Sequence, residues 1–337
     1  MISYFPEQFF LKIVLRSTWV CFAWLLVLLL SSCATLHKTE QPIDDLHVVV
    51  EDTSQELMNV FAPVFVIPEW QQPYNNIGMV VAKTIDGREK ISIDPDQAIF
   101  YVNQSSFSTP QNTYINLIYR VHFQKTPFSL IPFHFGAGSN VGLLVIVTLN
   151  KDHIPLLVTV ANTCGCYAVV IPTAALPVDA YPEDWVDTKQ HVFGEILPAS
   201  LPLYGEDDTL LITVTPEVHR LMDVNILRRK ALNRKEVRSA KLMPLQSLKT
   251  LPLEDGKFTS LYYDTWPLQG HVKGSIKPWE SLLLGLVSLD LYVGMDKEYG
   301  DTAISGNPFY TSLLIWNRHV SDMNNFAQFL NFLGWKL

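Results

Sequence analysis

Residues 113–123, TYINLIYRVHF, alternate between apolar and mainly polar positions, which is the pattern of a β-strand. Successive side chains of a strand point to opposite faces, so the two sets lie on different sides. The apolar face carries Ile115, Leu117, Tyr119, Val121 and Phe123. The polar face carries Asn116, Arg120 and His122. We expect the first face in a core and the second against water.

Further β patterns run from residue 64 to about residue 215. Asp86-Gly87 is a typical hairpin turn between two strand-like segments. Residues 141–149, VGLLVIVTL, are apolar on both faces, which predicts a central strand of a sheet that is covered on both sides. A second apolar run, 156–173, follows a connection at 150–153. Together these segments predict an antiparallel-rich, sandwich-like β region.

Helix signals occur on both sides of this region. Thr53 and Glu56 form a capping box, and Pro63 ends the helix that they begin. Thr215-Pro216-Glu217 combines an N-cap hydroxyl, a proline at the first helical position and an acid in the first turn. An apolar stripe follows this second start: Leu221, Val224, Leu227 and Ala231. Both segments are therefore predicted as helices.

The last predicted helix lies near the C-terminus. Ser321 is its expected N-cap and Gly334 its expected end. Its apolar stripe consists of Phe326, Phe329, Leu330 and Leu333. Because strands come first and helices afterwards, the order of elements predicts an α+β fold. We divide it into a β-rich domain at 51–215 and a helix-containing C-terminal region, 216–337, packed on it.

The N-terminal residues have the layout of an export signal. Lys12 and Arg16 precede an uncharged apolar run at 19–30, and small residues with a cysteine follow. A bilayer span needs about 20 apolar residues, so the run is short for that role. The sequence Leu30-Ser31-Ser32-Cys33 resembles the bacterial lipobox, in which the cysteine becomes lipidated.

This resemblance to bacterial lipoproteins implies a location in the cell envelope. Residues 1–32 would be a signal peptide, Cys33 would carry acyl chains such as palmitate, and residues 33–50 would be a lipidated tether. Ala34, where an aspartate would direct retention, implies the outer membrane and a domain that faces the periplasm. The alternative is an uncleaved signal anchor in the inner membrane.

The composition indicates a packed globular protein. Hydrophobic residues make up 48% of the chain and aromatic residues 12%, which is enough for a large core. The formal net charge is −8, so no overall basic field attracts nucleic acid. We expect instead a membrane contact through the lipid anchor, and an envelope protein, a glycan or a lipid as partner.

Cys164 and Cys166 flank Gly165 inside an apolar run. In an oxidising compartment such thiols pair, bind a metal or are protected by burial. Positions i and i+2 of a strand lie about 6.6 to 7 Å apart, whereas disulfides need Cα atoms roughly 4.4 to 6.8 Å apart. A bridge therefore requires a kink, which Gly165 permits.

Three interpretations of the cysteine pair stay open. The first is structural, either as buried thiols or as a static bridge. The second is a zinc or copper site completed by imidazoles, for which His122, His134 and His153 are the candidates. The third is a strained and easily reduced bridge that takes part in redox exchange.

The pair Arg120 and His122 is a candidate anion-binding site, because arginine presents a fixed fork of donors. The alternative is a solvated strand face on which Arg120 pairs with one of the many acids. The chain contains neither a G-x-S-x-G elbow nor an H-E-x-x-H zinc helix.

The sequence thus predicts a lipid-anchored envelope lipoprotein with a binding or structural role. The alternative is an envelope hydrolase or a thiol- or metal-dependent enzyme that uses Cys164-Gly165-Cys166.

Overall fold

The computed structural model describes residues 45–51, 56–231, 236–288, 292–300, 302–304, 306, 316 and 318–337. Its strands are β1 Leu46–Val50, β2 Val64–Ile67, β3 Met79–Ile85, β4 Arg88–Asp94, β5 Ala98–Ser108, β6 Thr113–Thr126, β7 Gly138–Leu149, β8 Pro155–Asn162, β9 Ala168–Pro172, β10 Lys189–Val192, β11 Glu195–Pro198, β12 Asp208–Val214, β13 Leu221–Arg228, β14 Glu236–Pro244, β15 Leu251–Pro252 and β16 Phe258–Thr259. Its α-helices are α1 Leu57–Val60, α2 Pro278–Ser288 and α3 Phe326–Phe332.

Ten of the strands form one curled sheet in the order β13-β12-β2-β1-β14-β5-β6-β7-β8-β9. Neighbours from β5 to β9 are antiparallel, whereas β1 with β14, β14 with β5, and β2 with β12 are parallel. Side chains from both halves, such as Val145 and Ile212, share one core because the sheet folds over on itself. The predicted α+β fold, sandwich-like and rich in antiparallel strands, is confirmed.

Strand β7 is buried on both faces, as its sequence predicts. Apolar side chains occupy every position from Leu143 to Val147, and all of them are inaccessible to solvent. Leu143, Val145 and Val147 face the core inside the curled sheet. Leu144 and Ile146 face a second core on the outer side, under α3.

The C-terminal helix covers that outer face. Phe326, Phe329 and Leu330 of α3 are buried against the sheet, which confirms the predicted stripe. The N-cap is Asn325 rather than Ser321: the Asn325 side chain accepts a hydrogen bond from the Gln328 amide. Gly334 adopts a left-handed φ of 89° just beyond the helix, as expected of a C-terminal stop.

The helix predicted after Thr215 is wrong. Residues Leu221–Arg228 form β13, which pairs antiparallel with β12. The Thr215 hydroxyl accepts a hydrogen bond from the Arg220 amide and so closes a turn, in which Glu217 and His219 have positive φ. Pairing with an adjacent strand has overridden the local helix signals.

Two predicted boundaries differ from those of the structure. The division between residues 215 and 216 falls inside the β12–β13 hairpin, and β13 and β14 belong to the main sheet. Residues 46–50, predicted as part of the tether, form strand β1. By contrast, the hairpin predicted at Asp86-Gly87 is confirmed, since β3 pairs with β4 around that turn.

The predicted signal peptide, the lipobox and the capping residue Thr53 lie outside the described residues. Helix α1 begins at Leu57, and Glu56 occupies its N-cap without a side-chain hydrogen bond. Among the residues that the structure describes, no helix has the length and apolar character needed to cross a bilayer.

One end of the curled sheet carries the loops that line a cavity, and we call it the cavity end. Strands β2, β6, β8 and β12 finish there, and β1, β7, β9 and β13 begin there. Leu46, the first residue of β1, lies opposite Ile67, the last residue of β2. The described chain therefore starts, at Asp45, at the cavity end.

Candidate functional site

A cavity of about 470 Å³ lies at the cavity end of the sheet. Its walls come from the β6–β7 loop, the β8–β9 turn, the β10–β11 turn, the β12–β13 turn and the start of α2. Phe133, Phe135 and Phe193 contribute aromatic surface. The ionisable side chains on the wall include His134, Glu217, His219, Lys277 and Glu280. The cavity thus combines apolar and polar surface in one lining.

The β8–β9 turn brings Cys164 and Cys166 together as a disulfide, with Cα atoms 5.4 Å apart. Gly165 has a φ of 76°, which is the kink that the sequence required for a bridge. Cys164 is fully buried, whereas Cys166 is partly exposed and lines the cavity. The sequence left open whether the two cysteines are buried free thiols. In the structure they are bonded to each other, so that interpretation does not apply.

A buried lysine fixes the position of this turn. The Lys297 ammonium donates a hydrogen bond to the Cys164 carbonyl at 3.1 Å, and its backbone amide donates to the Thr163 carbonyl at 2.9 Å. Within the turn, the Gly165 amide donates to the Asn162 carbonyl. The bridge is consequently held by the segment 292–300, which lies far from it in sequence.

Glu280, in the first turn of α2, lies beside the bridge. One oxygen of its carboxyl group and the two cysteine sulfurs all lie within 4.8 Å of one another. The side chain is buried, with an exposed fraction of 2%, and Oε2 has no hydrogen-bond partner among the described residues. Burial raises the pKa of the Glu280 carboxyl, and nearby Lys277 opposes this effect only in part. The group is therefore biased towards its neutral, protonated form.

Asp296 neutralises the positive charge of Lys277 in the cavity wall. The Lys277 ammonium lies 3.3 Å from Asp296 Oδ2, and both side chains are buried. The Ser275 hydroxyl donates to Oδ2 at 2.5 Å, the Gly142 amide donates to Oδ1 at 3.1 Å, and the Thr163 hydroxyl also donates to Oδ1. These donors and the lysine ammonium together satisfy both oxygens of the buried Asp296 carboxylate.

Two histidines complete the polar wall. His134 Nε2 lies 3.1 Å from Glu217 Oε2, and its Nδ1 lies 3.0 Å from the Pro127 carbonyl. His219 stacks on Phe123 with ring centroids 4.0 Å apart. Burial lowers the pKa of His219 to about 3, so this ring is neutral at physiological pH.

Arg120 and His122 lie side by side, but not on a solvated face. Both are fully buried, and Arg120 Nε donates to His122 Nε2 at 3.0 Å. Arg120 also donates to the Lys297 carbonyl at 2.9 Å. Burial, together with the Arg120 charge, holds the pKa of His122 well below its usual range. The expectation of a solvated strand face is wrong, and neither residue belongs to the cavity lining.

The three candidate histidine ligands do not converge on the cysteines. His134 lines the same cavity as Cys166, His122 is bound to Arg120, and His153 lies in the exposed turn at the opposite end of β8. Within the part of the chain that the structure describes, Glu280 completes the compact group around the sulfurs. Because each sulfur is bonded to the other, neither is available as a thiolate ligand here. Zinc or copper binding stays a prediction.

Glu280 was not among the residues singled out from the sequence. Its local signal, Pro278-Trp279-Glu280, is that of a helix start. Nothing in that signal connects it to cysteines more than a hundred residues earlier.

Exposed apolar side chains surround the cavity on the β6–β7 loop and on α2. Phe128, Leu130 and Ile131 are exposed, Ile131 by 94%. Phe128 stacks on Trp279 with ring centroids 6.4 Å apart, and Phe133 of the cavity wall contacts the same indole at 5.8 Å. An apolar surface patch therefore continues from the cavity lining; we call Phe128, Leu130, Ile131 and Trp279 the rim patch.

A second depression, of about 570 Å³, lies beside the β3–β4 hairpin. Its Lys273 ammonium contacts Glu89 at 3.1 Å and the Thr259 hydroxyl at 2.9 Å. Thr259 in turn donates to Glu89. Lys273, Glu89 and Thr259 therefore satisfy one another.

No protein family matches the chain, and neither a curated protein nor a solved structure matches it. Its function is therefore inferred from the geometry of the site.

Proposed function

We propose that this chain is a lipid-anchored lipoprotein of the bacterial cell envelope, attached to the outer membrane through Cys33, whose cavity binds an amphipathic small molecule. The observation that carries the binding role is the cavity itself, which brings aromatic side chains and buried polar groups together in one lining. Ligand sites in proteins commonly have this composition and a volume of roughly 300 to 1,000 Å³.

The aromatic wall suits an apolar or aromatic body. Phe133, Phe135 and Phe193 offer flat apolar surface that gains from contact with a similar group. Burial of apolar surface is worth about 25 cal/mol per Å², so a ligand of modest size would gain several kcal/mol before the costs of association.

The polar wall suits a hydrogen-bonding group on the same molecule. Glu280 Oε2 is buried without a partner among the described residues, and such an atom costs about 1 to 3 kcal/mol. A ligand donor or acceptor at this position would offset that cost. The ligand therefore needs a polar end directed at Glu280 and an apolar body directed at the phenylalanines.

The position of Asp45 supports a cavity near a membrane. Residues 34–44 separate the lipidation site from Asp45, and 11 extended residues span at most about 40 Å. Asp45 lies at the cavity end, as does the rim patch. A bilayer within reach of this tether would meet the exposed apolar side chains first and would give the cavity access to amphipathic molecules.

A cavity-filling substitution tests the binding role. In nanodiscs that carry the full chain, anilinonaphthalene sulfonate should show a saturable fluorescence increase above that of empty nanodiscs. Gly136→Phe should abolish this component, because a side chain there projects towards Glu280, whose Oε1 lies 3.7 Å from the Cβ position. Gly205→Phe is the matched control, since its Cβ position has open space around it. Equal saturable binding by both variants, or none by the wild type, would contradict the proposal.

A further inference from the structure

We propose that the Cys164–Cys166 bridge undergoes thiol–disulfide exchange with a small dithiol inside the cavity, with Cys166 as the attacked sulfur and Glu280 as the proton carrier. The inference goes beyond ligand binding, and it needs only that a thiol can enter the cavity.

The two sulfurs differ in access. Cys166 lines the cavity, whereas Cys164 lies beneath it with no exposed surface. A nucleophile that arrives through the cavity therefore meets Cys166 first. Attack there makes Cys164 the leaving group, because exchange displaces the far sulfur of the bridge.

The turn is arranged to accept negative charge on Cys164. The Cys166 amide donates a hydrogen bond to Cys164 Sγ at 3.3 Å. The Lys297 ammonium is fixed on the Cys164 carbonyl at 3.1 Å. A backbone donor and a nearby cation both stabilise a thiolate, and a more stable thiolate leaves faster.

Glu280 supplies the proton that this thiolate needs. Its carboxyl group lies against both sulfurs, and Oε2 is engaged with no other described group. Burial raises its pKa, which favours the protonated form required of an acid. The charged groups that act on Glu280 are Lys277, Asp296, Arg220 and Lys297.

The exchange balances in two steps. In the first, one thiolate of the dithiol attacks Cys166 Sγ, a mixed disulfide forms, and the Cys164–Cys166 bond breaks with its electron pair on Cys164, which takes the proton of Glu280. In the second step, the remaining thiol of the dithiol passes its proton to Glu280. The resulting thiolate attacks the other sulfur of the dithiol, which is bonded to Cys166 in the mixed disulfide, and closes a disulfide within the dithiol. This breaks the bond to Cys166 and releases the Cys166 thiolate, which water protonates. The dithiol is oxidised by two electrons and the bridge is reduced to two thiols.

The rate of bridge reduction tests this proposal. The full chain in nanodiscs is treated with dithiothreitol, free thiols are trapped with a maleimide, and the labelled peptides are quantified by mass spectrometry. Rates are corrected for the thiolate fraction of the reagent at each pH. In the wild type, the corrected rate should fall as pH rises through the pKa of Glu280, because the proton donor is lost.

Glu280→Gln should slow reduction at neutral pH by about 10²-fold and should remove the pH step. Glu183→Gln is the matched control, since that carboxylate is exposed, pairs with Lys336 and does not line the cavity. A residue with a merely structural role would not remove the pH step. If Glu280→Gln does not fold, the wild-type profile decides alone: a step supports the proposal and a flat corrected profile overturns it.

Single-cysteine variants test which sulfur is attacked. Cys164→Ser leaves Cys166 in the cavity wall, so its thiol should react with the maleimide in the folded chain. Cys166→Ser leaves only buried Cys164, which should react more slowly. Equal rates, or the reverse order, would contradict attack at Cys166. Peptide mapping separates either label from any label on Cys33.

Discussion

At the scale of single residues, the site depends on charges that are buried and yet compensated. Asp296 holds Lys277 through an ion pair in the cavity wall. Removal of one partner from a buried pair typically costs about 3 to 5 kcal/mol, because the other charge is left uncompensated. Glu280 is the exception, since its neutral form needs no counter-ion. This difference makes Glu280 the residue that is free to exchange a proton.

The buried histidine His219 gives a prediction for stability at low pH. Its pKa is lowered to about 3 by burial, so folding excludes a proton that the unfolded chain binds below about pH 6.5. This contribution to stability is present above pH 6.5 and is lost as pH falls towards 3. Between pH 7 and pH 5 the wild type should therefore lose about 2 kcal/mol of unfolding free energy from this group.

Denaturant titrations at the two pH values measure this loss. In His219→Gln the loss between pH 7 and pH 5 should be smaller by that amount, whereas His153→Gln, at an exposed turn, should behave as the wild type. The same pH dependence in His219→Gln and the wild type would show that His219 is not the group responsible.

At the scale of elements, local sequence signals were sufficient where one element determines its own geometry. The two-sided apolar run of β7, the turn at Asp86-Gly87 and the stripe of α3 are features of this kind, and all three are confirmed. The segment after Thr215 has equally strong helix signals, but its pairing with β12 decides its structure.

The remaining elements depend on partners that are distant in the sequence. Strand β1 pairs in parallel with β14, whose residues lie far along the chain. The candidate site likewise joins Cys166 to Glu280, which lies more than a hundred residues later in the chain. The sequence could therefore predict the cysteine pair and the kink at Gly165, but it could not predict the carboxyl group beside them.

The end of α3 gives a prediction at this scale. Gly334 has a φ of 89°, and a Cβ atom there would lie 3.2 Å from Pro182 Cβ. A left-handed backbone costs a residue with a side chain roughly 1 to 2 kcal/mol, so Gly334→Ala should lower the unfolding free energy by about that amount. Gly205→Ala is the control, because it has no positive φ and no close neighbour. Equal stability of the two variants would show that the terminus of α3 relaxes without cost.

At the scale of the whole molecule, the tether, the rim patch and the cavity together support one proposed orientation of the protein relative to the membrane. The described chain begins at the cavity end, where the exposed side chains Phe128, Leu130 and Ile131 also lie. Anchoring at Cys33 would therefore hold the cavity towards the bilayer, while the far end of the sheet would face the periplasm.

The lipid anchor at Cys33 is the premise of that orientation and can be tested directly. Several acyl chains hold a protein on a bilayer because each buried CH₂ contributes about 0.8 kcal/mol. In a Gram-negative host supplied with labelled palmitate, the wild type should incorporate label and sediment with the outer membrane, and its mature chain should start at Cys33. Cys33→Ser should lose the label and be released or left unprocessed. Cys21→Ser, within the apolar run before the lipobox, should keep both label and location. Undiminished labelling of Cys33→Ser would show that the anchor is not at position 33. The reason for placing the cavity against a membrane would then be lost. The exchange proposed at Cys166 would not be affected, because it has a separate test.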